Sequence, residues 1–531
     1  MAASEATRRI VSAVTLGVAF VAIALATRLP FRDRTLFISD SGRYALALEH
    51  YDVTLGRPHP PGNPLYVGIA KAADAFVGDP PRSLALVSAL ASGIALFLAW
   101  LLGRDVAGEE GGWIAAGILA TSPLFWFFGA VAMPATGEAA LSLLMAWLAR
   151  RARDPNAPRW FWALTLTLAL SIGFRSTFAV LIVPLWFYAG YRHPRARLAA
   201  GAIVLGAAAL GWTLIVASLS GGLAAYRATL SAFFVDVVLA TKIFGGGLAK
   251  IPAQIQGAAI SAVLGLGLFL LPFLSGAWGC LTGKWPFPGA APFLAAWAVP
   301  ALVFHTAYDW APRFGVLLLA PAAILAAATV APLVRRLTRP GSVEGMARAG
   351  ALLAAAVNVG IFLLPERLGG FELPEPFPSG SRLLARNADF ARRDAAIRRS
   401  IDPGTSVILG HDDTFHVAWF LPEYRVVGLW GAFKEAPDTW LPSAYERKFS
   451  HEPESRAIPV QEPLRLPDAT RLLVLYDDDY ERIWPEAEMP LANLGYDQGR
   501  RLKVASVPRP GCLSFSLGRI AFIPSGEGSC R

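Results

Sequence analysis

Residues 36–76 read LFISDSGRYALALEHYDVTLGRPHPPGNPLYVGIAKAADAF and bring together a carboxylate, Asp40, and an imidazole, His59. Both are groups able to take or give a proton. Every proline in His59-Pro60-Pro61-Gly62-Asn63-Pro64 fixes its own φ and pushes the residue before it into an extended conformation. A rigid turn of this kind can hold His59 and Asp40 near the mouth of a cavity. Asp40 also stands where helical spacing begins, a position at which aspartate caps a helix. Elsewhere the chemistry-bearing residues are Glu138 at the start of an apolar stretch, Arg175 in SIGFRSTF, and His305, Asp309 and Arg313 in FHTAYDWAPRF. Arginines near the ends of apolar spans either snorkel to the headgroups or meet an anion. His305 and Asp309 suit a substrate, a metal or one another, or they belong to a polar interfacial loop with aromatic anchors. No D-x-D pattern accompanies Asp40, so a divalent metal is not indicated and no metal ligand is assigned.

These residues are set among elements that do not belong to a cytosolic enzyme. Of 531 residues, 54% are hydrophobic and 16% charged, where soluble domains carry about 25% charged residues. The mean hydropathy is +0.46. Apolar stretches at about 10–26, 83–103, 113–133, 136–150, 160–174, 176–190, 198–218, 257–279, 289–305, 314–333 and 349–365 suggest roughly eleven transmembrane helices, some of them short. The first follows Arg8 and Arg9, and its length favours an uncleaved span over a signal peptide. The net charge of +9 reflects arginines gathered in short loops, around 150–159, 192–197 and 335–348, rather than a nucleic-acid partner. With the N-terminus in the cytoplasm, all three clusters fall inside and the long segments 29–82 and 219–256 fall outside.

The expected organisation is an all-α polytopic membrane domain over 1–366 and an extracytoplasmic α/β domain over 367–531, where strand-like TSVILG and TRLLVLY alternate with helix-like segments. The first outer segment holds two amphipathic helices suited to the membrane interface, the first with Tyr44, Leu48 and Tyr51 on one face. In the tail, His411, Asp412 and Asp413 follow one strand and Asp477, Asp478 and Asp479 another, as site residues in open α/β sheets often do. Three cysteines exclude a disulfide scaffold; Cys512 and Cys530 would both lie outside the membrane and are able to pair there.

The segment Asp40-Ser41-Gly42, followed by His59-Pro60-Pro61-Gly62 and Pro64-Leu65-Tyr66, resembles the first outer loop of the GT-C membrane glycosyltransferases. The match is to the bacterial family related to protein O-mannosyltransferases, with D-S-G-E and H-P-P-G-Y-P motifs. Glu138 and Arg313-Phe314 are weaker echoes of the same family. The resemblance implies a hexosyltransferase that takes a sugar from a polyprenyl phosphate and passes it to a lipid, glycan or protein acceptor on the outer face, with inversion. Asp40 would be the general base, and Arg175 and Arg313 would bind the lipid phosphate. His59, Glu138, Tyr44, Arg43, His305 and Asp309 would contact acceptor or substrate. The implied location is a bacterial cytoplasmic membrane, with no certain cofactor. Two departures stand out: Arg43 replaces the family's Glu, and Asn63 replaces its Tyr. The alternatives are a multi-pass transporter or lipid flippase, or a degenerate GT-C scaffold, which Arg43 favours; against a transporter, the sequence shows no paired halves.

Overall fold

The computed structural model describes residues 2–234, 248–284, 290–308, 310–336, 344–365, 367–368, 371–372, 378–410, 413–430, 443–447, 455–459, 463–476, 484–485, 488–497, 500–516 and 519–525. Two compact units emerge. One comprises Met1–Asp33, Pro61–Ser218 and Gly247–Leu384; the other comprises Arg34–Pro60, Leu219–Gly246 and Ala385–Arg531. The second unit therefore draws the tail together with half of the segment 29–82, which lies far away in sequence.

The first unit is helical and spans the membrane. Among the described residues, six helical runs, Arg195–Leu219 and Ala290–Ala307 among them, are long and apolar enough to cross it, and a bent pair, Pro123–Ala130 with Ala135–Ala152, makes up to a seventh. Ser176–Gly190 and Ala349–Leu363 are shorter apolar helices. The helical run Pro80–Thr121 has 42 residues, about 63 Å at 1.5 Å per residue, twice what a bilayer core needs. It is two helices, separated where Ala107 and Gly108 leave helical geometry. Gly108, at φ 79°, supplies the left-handed step, and Trp100 meets Trp113 edge-on at 6.1 Å across the reversal.

The bent pair breaks at 131–134. There Ser88 Oγ donates to the Met133 carbonyl at 2.9 Å and Thr136 Oγ1 to the Ser88 carbonyl at 2.8 Å. Backbone freed from helix inside a membrane must find such partners, and this turn delivers Glu138 into the first turn of the next helix.

The second unit is α/β. Seven strands run in the order Ser455–Pro459, Ser443–Arg447, Arg425–Trp430, Ser406–Gly410, Leu472–Leu475, Arg500–Ser506, Leu491–Asp497. The central Ser406–Gly410 strand is fully buried and parallel to both neighbours; the remaining pairings are antiparallel. The two expected strands, SVILG and LLVL, are this centre. One face carries a core of Val407, Leu409, Leu473 and Leu475; the other packs Ile408, Val426 and Val474 against Phe390 and Ile397 of the Gly380–Ser400 helix. A three-stranded sheet of Arg519–Pro524, Gly511–Ser516 and Leu464–Arg465 stands beside it. Cys512 is disulfide-bonded and Cys280 is a free thiol; Cys530 lies outside the described residues.

Candidate active site

In the second unit, Asp40 is the second residue of the Ser39–Glu49 helix. The N-cap is Ile38, whose side chain makes no capping hydrogen bond, so Asp40 is not consumed as a cap. In the first turn its carboxylate is favoured by the helix dipole. Asp40 Oδ1 lies 3.5 Å from His59 Nδ1, and each side chain is 19% exposed. Tyr44, one turn on, is buried and stands edge-on to the His59 ring at 5.8 Å.

The helix is held close to its neighbour. A Cβ at Gly42 would stand 2.5 Å from Phe415 Cβ and 2.9 Å from the Phe415 carbonyl carbon. Only glycine permits that approach, which accounts for the G of the D-S-G segment. Arg43 stacks its guanidinium on the Phe415 ring at 4.0 Å. Asp52 accepts from the Thr54 amide at 2.8 Å and caps the Val53–Leu55 turn. The Val53 amide donates to Ser220 Oγ at 3.0 Å. Burial, helped by Tyr226 and Tyr44, pushes the Tyr51 hydroxyl up, and burial does the same for Tyr226.

Asn63 has φ 49° and ψ 51°, left-handed backbone that Asn tolerates better than other side chains. This departure from the family's Tyr suits the local conformation, at the start of the Pro64–Val77 helix.

In the first unit, Arg175 separates the helices Pro158–Phe174 and Ser176–Gly190 with extended backbone, φ −163° and ψ 109°. Its Nη1 donates to Glu138 Oε1 at 2.6 Å, with side chains 14% and 6% exposed. This arginine is half-buried and paired with the buried Glu138, which holds it. Phe314 organises a wider group: His305 stacks on its ring at 4.0 Å, and the guanidinium carbons of Arg313 and Arg175 lie 5.0 Å and 5.6 Å from its centre. His305 is buried, and its Nδ1 has no hydrogen-bond partner among the described residues. Tyr66, in the Pro64–Val77 helix, meets Phe174 edge-on at 5.5 Å, immediately before Arg175.

The expected site residues thus fall into two groups, Asp40, Arg43, Tyr44 and His59 in one unit and Glu138, Arg175, His305 and Arg313 in the other. Asp309, His411, Asp412, Asp477, Asp478 and Asp479 lie outside the described residues. Among the described residues, no cluster of three or more His, Cys, Asp or Glu suited to a metal ion is present. Sequence reasoning missed Phe415 as the surface under Gly42 and Phe314 as the ring shared by three nitrogen-bearing side chains. The family's R-Y/F echo was the one signal for the latter.

Residues 59–220 match the family model described as dolichyl-phosphate-mannose-protein mannosyltransferase. No curated protein matches the chain in sequence. Among solved structures, the fold is similar to that of ArnT from Cupriavidus metallidurans bound to undecaprenyl phosphate: TM-score 0.54, 15% identity, 92% of this chain and 97% of that one. The apo state of ArnT from the same organism gives TM-score 0.53 and 14% identity over 93% and 98%. The chain is a multi-pass membrane protein with the GT-C fold of ArnT, and part of it carries the sequence signature of the mannosyltransferase family.

Proposed function

We propose that this chain moves a sugar from a polyprenyl phosphate to an acceptor on the outer face of the membrane, with Asp40 as general base. The observation that carries this reading is the state of Asp40. It is a first-turn carboxylate that stands past the N-cap, 3.5 Å from His59 and 19% exposed. An acceptor hydroxyl is a poor nucleophile at neutral pH, and a carboxylate within hydrogen-bond reach takes its proton as the oxygen attacks the anomeric carbon. The bond from that carbon to the phosphate oxygen breaks, the electron pair leaves with the lipid phosphate, and one displacement inverts the anomeric centre.

The departing phosphate gains negative charge, which Arg175 and Arg313 are suited to stabilise. Glu138 fits better as the residue that orients Arg175 than as an acceptor contact. Likewise, His305 fits the phosphate side through its stacking on Phe314. His59 and Tyr44 are left for the acceptor. ArnT, which shares the fold, was crystallised with undecaprenyl phosphate, and that supports the same class of carrier here. A bacterial cytoplasmic membrane with the N-terminus inside agrees with the arginine distribution. Arg43, engaged with Phe415, gives no support to a degenerate scaffold.

The test is label transfer from a panel of radiolabelled polyprenyl-phosphate sugars, in membranes containing the intact chain or Asp40→Asn. Transfer by the intact chain that vanishes in the variant is the expected result. Equal transfer by both would remove Asp40 as base, and no transfer from any donor would remove the enzyme reading.

A further inference from the structure

The short helix Thr414–Phe420, in the same unit as Asp40, meets the Asp40 segment with two successive residues. His416 is buried, and its Nδ1 lies 2.5 Å from the carbonyl oxygen of Thr35, five residues before Asp40. The other ring nitrogen, Nε2, lies 3.1 Å from Asp394 Oδ2. On its second oxygen Asp394 accepts from the Tyr476 hydroxyl at 2.8 Å. Burial and the Asp394 charge both push the Tyr476 phenol up, so that O–H remains a donor. Phe390 and Phe420 close around the imidazole at 4.4 Å and 4.6 Å.

Phe415, the residue before, is the surface against which Gly42 packs, two residues after Asp40. Thr35 is tied a second time, since its Oγ1 and the Arg34 amide both donate to Asn387 Oδ1, at 3.2 Å and 2.9 Å. The base is therefore bracketed by attachments on either side in sequence, and both come from the tail. A buried polar network adds little net stability to a domain that apolar side chains would fill as well. This network directs one of its hydrogen bonds out of the tail and onto the loop that carries Asp40.

We propose that His416 is a positioning residue for Asp40: oriented by Asp394 and Tyr476, it fixes the Thr35 carbonyl and, with Phe415, sets where the carboxylate stands. The effect on rate rests on Asp40 being the base; the effect on the segment's order does not. Misplacement of a catalytic group by about 1 Å costs up to about a hundredfold in rate.

The test measures hydrogen–deuterium exchange and transfer kinetics on the full chain in lipid nanodiscs. His416→Asn places an amide nitrogen near the Nδ1 position and keeps the bond to Thr35. His416→Gln places one near Nε2, keeps Asp394 and drops Thr35. The Gln variant is expected to exchange about tenfold faster over residues 34–44, with the seven-stranded sheet unchanged. Its kcat is expected to fall about tenfold at constant donor KM, and the Asn variant to restore both. Equal exchange over 34–44 in the wild type and the Gln variant, or indistinguishable Asn and Gln variants, overturns the proposal. Should the Gln variant not fold, Phe415→Ala removes the ring on which Arg43 and Leu46 of the Asp40 helix pack; faster exchange over 34–44 supports the proposal and unchanged exchange overturns it. If the wild-type chain transfers no sugar, the exchange arm alone decides, and failure of the catalytic reading is seen separately.

Discussion

Asp40 and Glu138 are both first-turn carboxylates, each facing a nitrogen-bearing partner, and their surroundings differ in the uses they suit. Asp40 lies 3.5 Å from His59 and keeps 19% of its side chain exposed. Glu138 lies 2.6 Å from Arg175 and keeps 6%. A base must exchange a proton with a substrate, and a loose, open pair permits that; a closed, buried ion pair does not, but it fixes a guanidinium in place. Role follows from environment more than from residue type.

The strongest way to break this comparison is to neutralise each carboxylate in turn. Asp40→Asn is expected to lower transfer about 10²–10⁴-fold while leaving the thermal midpoint in detergent where it was. A large loss of stability instead would make Asp40 a structural residue like its counterpart. Glu138→Gln is expected to do the reverse first: it removes the carboxylate from a largely desolvated ion pair, at up to about 3 kcal/mol, seen as a lowered unfolding midpoint. If that midpoint does not move, the pair is not closed as described. Gly42→Ala sharpens the contrast within the Asp40 group. The added Cβ meets Phe415 backbone as well as side chain, and overpacking of that kind costs about 1–3 kcal/mol, read by chemical denaturation. The smallest expected change is Arg43→Leu, which loses the stacked cation over Phe415, about 0.5–2 kcal/mol. Were transfer to fall as far with Arg43→Leu as with Asp40→Asn, Arg43 would belong to the reacting groups.

The parts of this site that were legible in sequence are those that lie close together along the chain. Asp40, Gly42 and the His59–Tyr66 turn announce themselves because prolines and glycine leave few conformations open. Arg175 and Glu138 were visible as charges in apolar surroundings, but not as a pair. An arginine that snorkels and one that is buried against a carboxylate have the same neighbours in sequence, and only the packing of two helices distinguishes them. The apolar stretches, by contrast, were readable as helices, and the gap between 83–103 and 113–133 marked the place of the reversal that Gly108 makes with one left-handed residue. Phe415 and His416 were hidden for a different reason. The segment VILGHDDTFHVAWF reads as strand then helix, and no local pattern says that its helix packs on Gly42, since that preference lies in the shapes of two surfaces.

The long reach of the bond between His416 and Thr35, 381 residues apart, also orders events during biosynthesis. The ribosome emits the Asp40 segment early and the residues that bracket it roughly 20–75 s later, at about 5–20 residues per second. Throughout that interval the membrane helices insert while the loop holding the carboxylate lacks its anchors. A nascent or prematurely terminated chain thus carries the whole first-loop motif in an unassembled state, and the segment gains its anchors only when the last third of the polypeptide has been made and has folded around it.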